Sequence, residues 1–433
     1  MKQIGIGLLG FGTVGAGVVE GLQRNRELLS HRLGVELVLR RIADVDLDRD
    51  RGVKVDRSIL TRDAHAVITD PQVDIVVELI GGTGIARTLV CEALKAHKPV
   101  VTANKRLLAE HGQEIFGLAE KEGVDLYFGA SVGGGIPIIR VLREGLIGNE
   151  VRRILGILNG TCNYILTRME TESLAFDTAL AAAQKAGYAE ADPSLDIDGF
   201  DTAHKAVILA SLAYGFHVPM SAVSVEGVRG LASMDVHYAR ELGYRIKLLA
   251  VLKRENDEIE VRVHPTLVPI DHMLASVNQV FNAVMVQGDL TGDTLYYGRG
   301  AGREPTASTV IADLADIARN LASGKARHRR GVPQANRELR IRPVAEVRSR
   351  CYVRLMVLDK PGSLGLFTSI LGKHNVSIFA VTQKAVLEQK EGNFVPVVVL
   401  TNYAQESNLD AALKEIHAAG IVCEAPRKLR IMD

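Results

Sequence analysis

Along the first 130 residues, short apolar runs bounded by Gly, Pro or Asp alternate with longer amphipathic stretches. The runs IGIGLLG (4–10), VELVLRRIA (35–43), VDIVVELI (73–80), KPVVTA (98–103) and VDLYFGA (124–130) are short and rich in β-branched residues, so they read as strands. Strands separated by helical stretches predict an α/β fold with a doubly wound parallel sheet in residues 1–130. From 131 to 303 the pattern is less regular: FDTALAAAQKAG has helical spacing and EIEVRVHPTLV alternates, which suggests an α+β domain. A polar, Arg-rich passage at 321–349, including KARHRR (325–330), reads as a linker. The remainder, 350–433, runs strand, turn, helix, strand, then FVPVVVLT, NLDAALKEIHAAG and IVCEAPRKLRIM. That βαββαβ order predicts a ferredoxin-like module.

Composition narrows the possibilities only a little. A chain of 433 residues exceeds one ordinary core, so two or three domains are expected. A net charge of +1 gives no overall attraction to nucleic acid or an acidic membrane, and neither is expected as a partner. Cys91, Cys162, Cys351 and Cys423 are far apart and form no C-x-x-C pair, which argues against zinc and disulfides. No apolar stretch approaches the roughly 20 residues of a membrane span. The N-terminus lacks the cleavage pattern of a signal peptide, so a cytoplasmic location is expected.

Chemistry enters at Gly10-Phe11-Gly12-Thr13-Val14-Gly15, which follows the first strand and opens a helix. Gly10 permits a tight turn, Gly12 lets a pyrophosphate reach the backbone, and Gly15 lets helix and strand pack closely. The helix start adds N–H groups and a positive dipole end for phosphates, as in a Rossmann-type nucleotide site. Asp44, after the second strand, is placed to bond a ribose 2′-hydroxyl and favours NAD, whereas Arg49 or Arg51 would suit the 2′-phosphate of NADP.

A second cluster is YAEADPSLDIDGFDTAHKAVILA (188–210), with carboxylates at Glu190, Asp192, Asp196, Asp198 and Asp201 before an apolar helix bearing Lys205. Its glycine is misplaced for a calcium loop. Asp201 and Lys205 are four apart and share a helix face. A lysine in so apolar a helix is costly to bury without partners. Lys105, in VVTANKRLLAEHG, follows a strand end on the ligand side of the sheet.

Together with ILNGTCNYIL and GRGAGREPTAS, these blocks resemble homoserine dehydrogenase over nearly the whole chain, and LDKPGSLGLFTSILGKHNVSI resembles an ACT domain. No aspartate kinase segment precedes the nucleotide fold, so the monofunctional bacterial type with a C-terminal ACT domain is expected. The resemblance implies NAD- or NADP-dependent interconversion of L-homoserine and L-aspartate 4-semialdehyde in threonine, methionine and isoleucine biosynthesis. It implies that Lys205 and Lys105 are catalytic, Lys105 also lying by the cofactor, and that two lysines near one oxygen repel and lower each other's pKa. Glu190, Asp196 and Asp201 should bind the substrate, whose α-ammonium calls for carboxylates. Gly187 and Gly302 should lie near the cofactor, and 304–320 should return to complete the nucleotide domain. The segment YFGASVGGGIPII matches a sodium loop, with carbonyls at Val132, Gly134 and Ile136, but its usual glutamate is Gly129 here. In the ACT segment, Asp359, Pro361 and Gly362 would form an effector site for threonine, and a homodimer or homotetramer is expected.

Two other readings compete. An aspartate-semialdehyde dehydrogenase needs a nucleophilic cysteine, for which Cys162 is the candidate. A metabolite sensor without turnover would not need Lys105 and Lys205.

Overall fold

The computed structural model describes residues 1–324, 339–383 and 394–432. KARHRR and the middle of the expected linker, residues 325–338, lie outside the described residues. The chain forms two compact units: Met1–Gly160 with Asp201–Val223 and Val280–Leu339, and Thr161–Phe200 with Ser224–Gln279 and Arg340–Asp433.

The first unit is built on six strands: β1 (Lys2–Leu9), β2 (Val35–Ala43), β3 (Leu60–Thr61), β4 (Ile75–Glu78), β5 (Val100–Thr102) and β6 (Leu126–Tyr127). They pair in the order β3-β2-β1-β4-β5-β6, and every pairing is parallel. This is the expected doubly wound sheet, and its order reverses between β1 and β4, where ligands of such folds sit. Burial on both faces explains why β1, β4 and β5 are nearly continuous apolar runs rather than alternating ones. The helix Arg303–Ser323 packs on the helix Thr13–Arg24, closely enough that a Cβ at Gly17 would stand 2.7 Å from the Arg303 carbonyl. The same unit holds an antiparallel set, Gly292–Arg299, Phe281–Gly288 and Val151–Ile157. It also holds nearly all of the helix Phe200–Tyr214, mostly apolar and buried from Asp201 to Leu212.

In the second unit the hairpin Tyr244–Glu255/Glu258–Pro269 continues into the C-terminal strands, because Arg427–Ile431 pairs in parallel with Glu258–Pro269. Arg348–Leu358, Ile378–Gln383, Phe394–Thr401 and Arg427–Ile431 alternate with the helices Ser363–Lys373 and Glu406–Ala418. Numbered within the module, the strands lie in the order 4-1-3-2, all antiparallel, which is the ferredoxin-like arrangement. The last strand is shorter than its apolar run suggests. Pro426 has no N–H for a ladder, and Val422 makes only an isolated bridge with Val357.

Candidate active site

Gly10 has φ +96°, which glycine tolerates, and an added Cβ would meet Leu79 backbone atoms at 2.7 Å. A Cβ at Gly15 would stand 2.2 Å from the Gly10 carbonyl oxygen, so the helix packs on the turn only without a side chain there. At Gly12 nothing lies within 4 Å of an added Cβ. The helix begins at Thr13 with no side-chain cap, and its first N–H groups open onto that space. This cradle fits a pyrophosphate. Asp44 follows β2 and accepts hydrogen bonds from the Phe11 and Asp46 amides at 2.6 and 2.9 Å. Arg51 brings the rival signal to the same place: its Nη2 is 3.2 Å from Asp44, its guanidinium lies 4.9 Å from the Phe11 ring centroid, and its Nε donates to the Phe11 carbonyl. Arg303, next to Gly302, donates to the Arg51 carbonyl at 3.0 Å.

Across the switch point, Glu78 is fully buried at the end of β4 and accepts from the Ile80 amide (2.8 Å), the Gly81 amide (3.2 Å) and the Thr102 hydroxyl (2.6 Å). Thr102 in turn accepts from the Asn104 amide at 3.0 Å. Asn104 caps the helix Lys105–Glu122, accepting from the Leu107 amide at 3.1 Å. Lys105 is therefore the first residue of a helix whose positive end disfavours a cation. Its ammonium is 2.9 Å from Asp201 Oδ1.

Asp201 gathers this site. Its Oδ2 accepts from Lys205 Nζ at 2.7 Å and from Asn159 Nδ2 at 2.9 Å, and Lys205 also donates to the Leu158 carbonyl at 2.6 Å. Burial pushes the Asp201 carboxyl upward, but the charges of Lys205 and Lys105 and the bonds from Lys205 and Asn159 outweigh it and hold the group well below the usual range. An anion thus stands between the two ammonium groups, and it offsets the mutual repulsion that the sequence suggested. Lys205 is 7% exposed, so its partners are what make its burial tolerable. Asn159 and the Leu158 carbonyl escaped sequence reading; only the polar NGT turn between apolar flanks hinted at them.

The other acids belong to the second unit. Asp192 accepts from the Ser194 amide and hydroxyl at 3.1 and 2.6 Å, and Asp198 pairs with Arg229 at 2.6 Å. Both are held in local structure. Glu190 is exposed and Asp196 half-buried on the short helix Ser194–Ile197. Gly187, φ +75°, lies in the same exposed stretch. Cys162 is fully buried with its thiol 3.2 Å from the Asp196 carbonyl, a poor place for a nucleophile.

The expected cation loop shows a different use of its space. Asp313 Oδ2 accepts the Gly129 amide at 2.8 Å, and a Cβ at Gly129 would lie 2.9 Å from both Asp313 oxygens. The Gly134 carbonyl accepts the Thr309 hydroxyl at 2.6 Å, while Val132 and Ile136 are buried. Gly129 brings no carboxylate to this loop, and Asp313 takes the space that a side chain there would need. Burial raises the Asp313 carboxyl to about 7, against the lowering influence of the Gly129 amide and of Arg140 and Arg143. An unfolded aspartate titrates near 4, so between about pH 4 and 7 the folded state holds a proton that the unfolded chain has released. That stabilisation is complete below the window and is lost as pH rises through it. Asp313→Asn should flatten this part of the stability–pH profile, measured by urea unfolding from pH 4 to 7.5.

A doubly wound sheet with a nucleotide cradle at its switch point, and a buried lysine–aspartate pair in the same unit, defines the class of nicotinamide-nucleotide oxidoreductases. Residues 10–129 match the family model "Homoserine dehydrogenase, NAD binding domain", and residues 137–315 match "Homoserine dehydrogenase". The homoserine dehydrogenase of Neisseria gonorrhoeae is 45% identical over 98% of this chain and 97% of its own length. The crystal structure of a homoserine dehydrogenase from Thiobacillus denitrificans superposes with a TM-score of 0.92 at 44% identity, covering 100% of this chain and 99% of that one. A hyperthermophilic archaeal homoserine dehydrogenase solved in complex with NADPH covers 75% of this chain and 100% of its own, at 28% identity and a TM-score of 0.62. The chain belongs to the homoserine dehydrogenase family.

Proposed function

We propose that this enzyme oxidises L-homoserine reversibly to L-aspartate 4-semialdehyde, with Lys205 moving the proton at the C4 oxygen. The observation that carries this reading is the buried Lys205 ammonium, fixed at 2.7 Å to Asp201 and 2.6 Å to a backbone carbonyl. When bound, the nicotinamide supplies the hydride acceptor or donor. In oxidation the uncharged amine of Lys205 takes the hydroxyl proton as the C4 hydride departs. In reduction its ammonium stabilises the developing alkoxide and then protonates it. Asp201 orients both lysines, Lys105 faces the same oxygen and the cofactor, and Glu190 and Asp196 receive the substrate's α-ammonium. Gly10 to Gly15 hold the pyrophosphate, with Gly187 and Gly302 beside the cofactor. Residues 1–130 with 304–320 form the nucleotide domain in this reading, 131–303 the substrate domain and 350–433 the regulatory one. No step runs through a sodium ion.

Asp44 favours NAD. It meets the ribose hydroxyl, and by pairing with Arg51 it keeps that cation from a 2′-phosphate. Initial rates with L-homoserine and each nucleotide test both points. The wild type should turn over better with NAD, and Asp44→Ala should shift the kcat/KM ratio toward NADP by about tenfold, or about 1.4 kcal/mol. Absence of homoserine turnover with either nucleotide overturns the reaction, whereas an unchanged ratio overturns only the role of Asp44.

The ferredoxin-like module acts as an ACT domain that senses threonine. Asp359 and Pro361 are exposed, Gly362 has φ +95°, and the helix Ser363–Lys373 starts there without a side-chain cap. Ser363 Oγ is buried without a hydrogen-bond partner. This helix start suits an amino-acid carboxylate.

A further inference from the structure

In the second unit, the loop after the strand Ser224–Val225 lies directly against the acidic segment. The Val228 amide donates to the Ile197 carbonyl at 2.7 Å, and a Cβ at Gly227 would stand 2.1 Å from that same oxygen. Arg229 then grips the segment from outside. Its Nε and Nη2 bond the two Asp198 oxygens at 2.6 and 2.8 Å, and Nη2 also reaches Ser194 Oγ at 3.1 Å. Such a two-pronged pair fixes direction as well as distance. Its targets sit at the first residue of the helix Ser194–Ile197 and just past its last, so Arg229 spans the helix that carries Asp196.

The loop is tied at its other end to the ferredoxin-like module. Arg430, on the strand Arg427–Ile431, donates to Glu226 Oε1 at 2.8 Å. Arg430 is itself anchored, since Nε and Nη2 bond the two oxygens of the buried Glu406 at 2.8 and 2.9 Å. Lys428 bonds Glu406 Oε2 at 2.7 Å, and Glu406 is held down to about 2: burial opposes this, but the charges of Arg430 and Lys428 win. Glu226 is thus gripped by a cation that cannot easily move.

We infer that Arg229 is a positioning residue for the protein's own acidic segment that meets the substrate, and that the module supports that segment through the Arg430–Glu226 ion pair. The inference rests on the reading that Asp196 and Glu190 meet the substrate. A support of this kind makes the ferredoxin-like module matter to substrate affinity even with no effector bound.

The test uses the full chain with Arg229→Ala, Arg229→Lys and Glu226→Gln, varying L-homoserine at saturating nucleotide and then the reverse. Both replaced side chains are substantially solvent-exposed, 54% for Arg229 and 42% for Glu226, so folding should survive. KM for homoserine should rise more than about threefold in Arg229→Ala and Glu226→Gln while KM for the nucleotide stays put. Lysine at 229 should recover part of the loss, since it restores charge without the fork. A smaller rise, or an equal rise in both KM values, overturns the inference. Loss of homoserine turnover in the wild type would instead remove the reaction on which it rests.

Discussion

Replacing Lys205 by alanine is expected to lower kcat by roughly 10²–10⁴-fold, the usual worth of a positioned proton-transfer group. That range corresponds to about 3–5 kcal/mol of lost transition-state stabilisation. Two features make the loss specific. Lys205 is buried and held by Asp201 and the Leu158 carbonyl, so water does not readily take its place. Asp201 keeps Lys105 at 2.9 Å and Asn159 at 2.9 Å, so the site retains a paired carboxylate after the change. Nucleotide affinity, read from the fluorescence of the reduced nicotinamide, should change little, because the cradle at Gly10–Gly15 is separate. Arginine should not rescue turnover, because a guanidinium does not release its proton at working pH. A kcat within about threefold of wild type, under about 0.7 kcal/mol, contradicts the assignment.

The second large effect concerns stability. Asp235 is fully buried, and its carboxylate accepts from Tyr352 Oη at 2.9 Å and from Arg354 Nε and Nη2 at 2.7 and 3.3 Å. Arg354 also reaches Glu424 at 2.5 Å. Burial and the neighbouring Asp235 carboxylate push the Tyr352 hydroxyl far up, so it keeps the proton that it donates to Asp235. Arg354→Leu leaves a buried anion with one neutral partner and should cost about 3–5 kcal/mol. Urea unfolding should show this as a lower midpoint. Adding Asp235→Leu should recover much of the loss, since no buried charge then stays unpaired and Glu424, left without Arg354, is half exposed to water. If the double variant were no more stable than Arg354→Leu, lost packing would be the cause.

Local pattern made much of the fold legible. The strand GIGLLG followed by a Gly-x-Gly-x-x-Gly turn, and the repeated strand–helix alternation, correspond to the parallel sheet and its cradle. The four-residue spacing of Asp201 and Lys205 likewise appears as a 2.7 Å ion pair. Hidden from the sequence were partnerships between distant residues that no periodicity encodes. Asp313 fills the space beside Gly129 from 184 positions away, and Asp235 meets Arg354 across 119. Asn159 lies 42 positions from Asp201. The crowding of acids before the helix also concealed a division of labour: Asp192 and Asp198 shape the segment, while Asp201 holds the lysines.

The central claim is direct transfer of hydrogen from C4 of homoserine to the nicotinamide. L-Homoserine deuterated at C4, incubated with the enzyme and its preferred oxidised nucleotide, tests it most directly. Deuterium should appear at C4 of the reduced nicotinamide. Turnover that leaves the reduced nicotinamide without deuterium contradicts the account.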